Sequence, residues 1–105
     1  MLNQNFTLVR GDSLQFRLNF IDSETEPDAL YFTLKDKSSD TTAIFQKSLG
    51  DGIEKVEDQI SYDFYITHND TKDLKLNNYI YQILSLYGSD YETLVEGKLI
   101  ITPEV

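Results

Sequence analysis

The sequence predicts an all-β domain, an immunoglobulin-like antiparallel β-sandwich of about seven strands with one short helical turn. Three observations predict it. Apolar and polar residues alternate with period two through most apolar segments,. Turn residues (Gly, Asp, Asn, Pro) recur between those segments,. A tyrosine, Tyr79, opens the long penultimate segment just after the one helical signal, where such sandwiches use a tyrosine to hydrogen-bond back to the preceding corner. With 105 residues, 40% of them hydrophobic, the chain has the material for one core and reads as a single domain, 1–105. A small antiparallel barrel is the alternative architecture.

The elements follow in order. Phe6 to Val9 is a short first strand, separated by Gly11-Asp12 from a second in which Leu14, Phe16, Leu18 and Phe20 alternate with Ser13, Gln15, Arg17 and Asn19,. The polar loop Asp22 to Asp28 contains Pro27. Leu30, Phe32 and Leu34 then alternate with Tyr31, Thr33 and Lys35 in a third strand, and Asp36 to Asp40 forms the next loop,. Ala43 to Leu49 is a fourth strand. Gly50-Asp51-Gly52 is a tight turn whose glycines supply positive φ, and Ile53 to Val56 starts the return. Glu57-Asp58 marks a bulge or a second turn before Ile60, Tyr62, Phe64 and Ile66 resume the alternation.

Thr67 with Asp70 has the spacing of a capping box, so a helical turn or two begins there and ends at Leu74,. Asn77 or Asn78 supplies the left-handed residue that ends such a turn. Tyr79 to Tyr87 is a long strand, Gly88-Ser89-Asp90 the turn out of it, and Thr93 to Thr102 the last strand, with a bulge expected at Gly97 and pairing ended by Pro103,.

Composition excludes several functions. The net charge of −9 repels a phosphate backbone, so no nucleic-acid partner is expected. Met1 to Phe6 lacks a basic segment followed by an apolar core, and no apolar run reaches membrane-spanning length, so neither a secretory leader nor a membrane partner is expected,. Cysteine is absent, which removes disulfides and thiolate metal sites.

Catalytic and cofactor signals are equally sparse. His68 is the only histidine and sits at the start of a capped helical turn, facing water. No nucleophile elbow, phosphate loop or dinucleotide fingerprint occurs, so the chain is read as a non-enzyme with no catalytic residues, metal or cofactor. Asp22, Glu24, Glu26 and Asp28 lie close enough to surround a hard cation, yet the glycine and terminal Glu of a calcium loop are missing,. The cluster is read as a solvated loop. The phenylalanines fall on the inward face, while Tyr31, Tyr65 and Tyr87 suit an interface or, less well without a Trp, a sugar.

One segment breaks the rule of a polar exterior. Tyr79, Tyr81 and Ile83 alternate with Ile80, Leu84 and Leu86, so both faces of that strand are apolar and both require cover. Ile100, beside Leu99 and Ile101, extends the second face. Ile80, Leu84, Leu86, Ile100 and Tyr87 are therefore the candidate interface residues, for a second copy or another protein.

Arg10-Gly11-Asp12, Tyr31-Phe32-Thr33, Phe45 to Ile53, Asp70-Thr71 with Leu74, Tyr79-Ile80-Tyr81 and Glu96-Gly97-Lys98-Leu99, taken in this order, resemble the N-terminal domain of upper baseplate proteins of phages and prophages of Gram-positive hosts. Phe45 to Ile53 is the most specific stretch. His68 stands where that family often has Pro, and Asn77 where it often has Gly; both satisfy the same backbone demands. The resemblance implies an immunoglobulin-like sandwich without catalysis, a structural part of a phage tail or baseplate whose partners are its own copies and other tail proteins. Its location would be the virion, or the bacterial cytoplasm when expressed from a prophage.

Overall fold

A computed structural model describes residues 2–19, 26–37, 42–56, 60–75 and 78–103, for Leu2 the backbone alone. The strands are β1 (Leu2–Asn3), β2 (Phe6–Val9), β3 (Leu14–Asn19), β4 (Ala29–Lys35), β5 (Phe45–Leu49), β6 (Gly52–Lys55), β7 (Ser61–Ile66), β8 (Asn78–Tyr87) and β9 (Asp90–Thr102), with α1 (His68–Thr71) between β7 and β8. Phe20, Asp22, Glu24, Glu57, Asp58 and Asn77, and with them the features expected there, lie outside the described residues.

Hydrogen bonding runs β1-β9-β8-β4-β5-β6-β7-β3, with β2 also on β9. The path bends between β5 and β6. One layer holds β1, β2, β9, β8, β4 and β5; the other holds β6, β7 and β3, and the core lies between them. β3 is the unclosed end of the path, so the molecule is a sandwich and the barrel alternative does not form.

Alternation decides what faces inward. Along β8 Tyr79, Tyr81, Ile83 and Ser85 are buried, and along β7 Tyr62, Phe64 and Ile66. β4 contributes Leu30, Phe32 and Leu34, and β6 contributes Ile53. Aromatic rings join the layers. Phe16 of β3 stacks on Phe64 at 4.9 Å and on Phe6 at 5.0 Å, and lies 6.2 Å from Phe32. Phe32 in turn stacks on Tyr81 at 5.2 Å. Offset and tilted pairs at these separations add to the stabilisation from burial alone.

The run Phe45–Ile53 behaves differently from a hairpin. Gly50 and Gly52 do take positive φ, 84° and 91°. The amides of Ser48 and Asp51 each donate to the other's carbonyl, at 3.1 and 2.9 Å, so Leu49-Gly50 forms the turn. The chain then leaves the first layer: β6 meets β5 only at Ser48↔Gly52 and Leu49↔Ile53 and makes its antiparallel ladder with β7. The turn is a step between layers. Lys47 lies along it, its ammonium 2.9 Å from the Asp70 carboxylate.

The capping box forms. Asp70 accepts the Thr67 amide at 2.8 Å and the Thr67 hydroxyl at 3.0 Å. Burial opposes the charge on Asp70, but the Thr67 amide, the Lys47 ammonium and the Thr67 hydroxyl outweigh it and hold its pKa below the ordinary carboxylate value,. α1 also clasps the β2–β3 turn: His68 Nδ1–H donates to the Gly11 carbonyl at 2.6 Å and Thr71 Oγ1 to that of Asp12 at 2.8 Å. Four residues before β8's tyrosine, the Lys75 amide donates to Tyr79 Oη at 2.8 Å, the corner expected from the position of Tyr79.

Two expectations change on β9. The bulge is at Leu94, since Ile83 pairs with Val95 and Leu84 with Thr93. Gly97 pairs regularly with Tyr81; it is glycine because a Cβ there would collide with the Gln4 carbonyl. Moreover, β1 and β2 run parallel to β9, a departure from an all-antiparallel sandwich. The N-terminal segment reaches β9 without a hairpin, is interrupted as a strand at Gln4-Asn5, and hands its Gln4 carbonyl to the Tyr81 hydroxyl at 2.5 Å.

Burial pushes the Tyr81 phenol up to about 12 from an ordinary 10.0. A raised folded-state pKa means that folding stability is intact below pH 10, where the unfolded phenol begins to ionise, and declines as pH rises toward 12. Denaturant titrations between pH 8 and 12 should show that decline, and Tyr81→Phe should flatten it while costing about 1 kcal/mol at neutral pH through the stranded Gln4 carbonyl. An equally steep alkaline decline in Tyr81→Phe would count against this origin.

Candidate association surface

The register that buries Tyr81 and Ile83 turns the other set of side chains outward. Across β4, β8 and β9 the pairs are Ala29↔Leu86↔Tyr91 and Tyr31↔Leu84↔Thr93, then Thr33↔Gln82↔Glu96, then Lys35↔Ile80↔Lys98. Ile100 pairs with Asn78 on one side and Thr7 on the other. Ile80, Leu84, Leu86 and Ile100 are half-buried and none packs against the core cluster. Their partial cover comes with membership of a sheet.

The face is divided. Gln46 Nε2 donates to Thr33 Oγ1 at 3.0 Å, and with Gln82 and Glu96 these residues form a polar row across the strands. On one side of the row lie Tyr31, Leu84, Leu86 and Tyr91. On the other, Ile80 is flanked by lysines, with Ile100 a residue pair beyond. The first group is the continuous apolar patch, and Tyr91, 64% exposed, is its most accessible member. An exposed aromatic beside half-buried aliphatic side chains, set among polar ones, is what protein interfaces are built from.

Tyr87 stands elsewhere. Period two puts it on the opposite side of β8 from Leu84 and Leu86, toward Tyr62, whose phenol is raised by burial first and then by the nearby Glu26 carboxylate. Tyr91 is absent from the sequence-derived candidates because alternation starts the last strand at Thr93; its signal is its place just past Gly88-Ser89-Asp90, where a tight turn sets it opposite Leu86.

The outer face of the second layer contrasts with this one. Gln15, Arg17 and Asn19 project outward on β3, and Arg17 makes a two-pronged ion pair with its cross-strand partner Asp63, at 2.7 and 3.2 Å. Hydrogen bonding with Arg17 lowers the Asp63 pKa, and the same contact raises that of Arg17. Asn19 Oδ1 accepts the Ser61 hydroxyl at 2.6 Å. On that face Arg17 and Asp63, and Asn19 and Ser61, satisfy one another across the strands.

Elsewhere, chemistry finds little to work with. His68 serves the clasp described above. Of the acidic loop, Glu26 pairs with Lys55, and Asp28 accepts the Gly88 amide at 2.6 Å. Among the described residues no three His, Cys, Asp or Glu side chains converge. A cleft of about 290 Å³ opens between the N-terminal strands and β3, lined by Phe6, Phe16, Leu18, Tyr81, Ile83 and Val95 among others.

No protein-family profile and no curated protein sequence matches the chain. Solved structures do. Two crystal structures of strand-swapped dimers of mouse leukocyte-associated immunoglobulin-like receptor 1, of its extracellular and immunoglobulin-like domain, superpose with TM-scores of 0.56 and 0.58 at 10% and 11% identity. Each alignment covers 93% of this chain, and 87% and 88% of the receptor chains. The fold is immunoglobulin-like. Identity this low carries the fold alone.

The division of the face makes a contrast testable. Leu84→Lys should weaken self-association by at least tenfold in sedimentation equilibrium, and Ile80→Lys, across the polar row, should leave it within about twofold, since each buried apolar side chain lost costs about 1.5–3 kcal/mol. Equal effects of the two would mean that the row is no boundary.

Proposed function

We propose that the chain is a non-enzymatic immunoglobulin-like module that works by assembly with other protein subunits, its own copies among them. The observation that carries this is the apolar patch of Tyr31, Leu84, Leu86 and Tyr91 on a sheet face that the core does not use. That the receptor domains of like fold were crystallised as dimers supports self-association as something this architecture accommodates. The net charge of −9 opposes it between free copies, so association should strengthen as salt screens the repulsion.

The assembly we propose is a phage or prophage tail, with the chain as a structural part of the baseplate. Support comes from the ordered resemblance running from Arg10-Gly11-Asp12 to Glu96-Gly97-Lys98-Leu99. Symmetric assemblies reuse one patch many times, which suits a module of this size. A second reading, a free-standing adhesion or ligand-binding module, is favoured by the likeness to receptor domains and by the accessible Tyr91.

Mass spectrometry of density-purified particles after prophage induction separates the two. The assembly reading expects the chain in particles at a fixed ratio to known tail subunits. Its absence from particles, with binding of glycans or cell surfaces abolished by Tyr91→Ala, would replace that reading with the second.

A further inference from the structure

The geometry points to a specific mode of self-association: the N-terminal segment Leu2–Val9 of one copy occupies, in a second copy, the site on β9 that its own segment fills here. This rests on and extends the reading that the chain assembles with itself: exchange joins copies through β9, while the patch of Tyr31, Leu84, Leu86 and Tyr91 joins them through the sheet face. β1 and β2 pair with β9 in parallel, so no hairpin binds the segment to its partner strand. Its covalent tie to β3 and the rest of the fold is the link Arg10 to Ser13. An identical segment from a neighbour would make every contact equally well, and only the link would differ.

The site itself is built to take a strand from outside. Gly97 leaves the space in which the Gln4 carbonyl sits. The Tyr81 hydroxyl, buried in the core, donates to that carbonyl at 2.5 Å. The Gln4 amide donates to the Glu96 carbonyl at 3.2 Å, and Asn5 Oδ1 accepts the Lys98 amide at 2.9 Å. Phe6 enters the aromatic cluster between Phe16, at 5.0 Å, and Tyr81, at 5.6 Å, and Leu8 is buried behind it. A site with these features cannot stand empty: losing the segment strands a buried hydroxyl and uncovers two rings. Another copy's segment satisfies the same groups.

The link is where the two forms differ. In the closed chain Gly11 takes φ 91°, the Asp12 amide bonds the Val9 carbonyl at 2.9 Å, and His68 and Thr71 hold the Gly11 and Asp12 carbonyls. Straightening gives up these bonds and lets four residues span about 13 Å to a neighbour. Crowding copies together, as an assembly does, favours the exchanged form by mass action.

The native chain contains no cysteine, which makes the test direct. Thr7 and Ile100 are register partners on β2 and β9, on the outward side, at a separation suited to a disulfide. The doubly substituted Thr7→Cys, Ile100→Cys chain is oxidised at the concentration where light scattering detects a dimer, then run on a denaturing, non-reducing gel. Exchange expects a covalent dimer. It also expects one from an equimolar mixture of the two singly substituted chains. A dimer in light scattering whose disulfide stays within each chain would overturn the exchange and leave self-association standing. A chain monomeric at all concentrations would overturn both. Gly11→Ala, strained at positive φ, should raise the covalent-dimer fraction several-fold without unfolding the chain; a fraction unchanged or reduced would also overturn the exchange.

Discussion

The contact of aromatic rings across the two layers is the interaction on which the rest of this structure depends. Immunoglobulin domains of the antibody type fasten their sheets with a disulfide whose second cysteine lies two residues beyond the corner tyrosine, packed against a tryptophan. Here that position is Tyr81, and neither Cys nor Trp exists in the chain. Phe16, Phe32, Phe64 and Tyr81 take over the join, stacked, tilted or edge-on at 4.9 to 6.5 Å. A cluster of this kind is non-covalent, but it has a property that a disulfide lacks: its shape is satisfied only in one register of each strand. A one-residue slip of β8 would carry Tyr81 to the surface and Gln82 into the core.

From that register the rest follows. With Tyr81 and Ile83 inward, Leu84 and Leu86 must face outward, and they meet Tyr31 and Tyr91 because β4 and β9 are themselves held in place by Phe32 and Val95. The same ring that anchors the core also reaches the N-terminal segment, through its hydroxyl to Gln4 and its face to Phe6. The outer patch and the docked N-terminus are thus two consequences of one side chain's placement. The first depends on its neighbours in sequence pointing the other way; the second depends on its own polar tip needing a partner.

Much of this was legible in the residues, because period-two alternation reports directly on which side of a strand faces apolar surroundings. The β3, β4, β7 and β8 segments, the capping box at Thr67 and the corner at Tyr79 are local patterns, and local patterns survive folding. The direction of pairing is non-local. Nothing in Phe6-Thr7-Leu8-Val9 says that these residues run parallel to Leu99-Ile100-Ile101-Thr102. Likewise Gly50-Asp51-Gly52 announces a turn, but whether the chain returns to the same layer or steps to the other depends on β7 waiting there. Gly97 suggested a bulge where the strand in fact pairs regularly; the reason for glycine lies 93 residues away, in the Gln4 carbonyl. Of the candidate surface, Leu84 and Leu86 could be read from alternation, whereas the polar row that separates them from Ile80 and Ile100 exists only once Gln46, Thr33, Gln82 and Glu96 stand side by side.

Apart from the exchange of N-terminal segments at β9, the molecule meets its partners at one defined portion of the outer sheet face, set by the core register. Methyl-resolved NMR across a concentration series tests it most directly, because every residue at issue carries a methyl group or lies beside one. The methyl signals of Leu84 and Leu86 should shift or broaden as concentration rises, while those of Ile80, beyond the polar row, and of the core residue Ile53 hold still. Invariant Leu84 and Leu86 signals in a sample that demonstrably associates would contradict it.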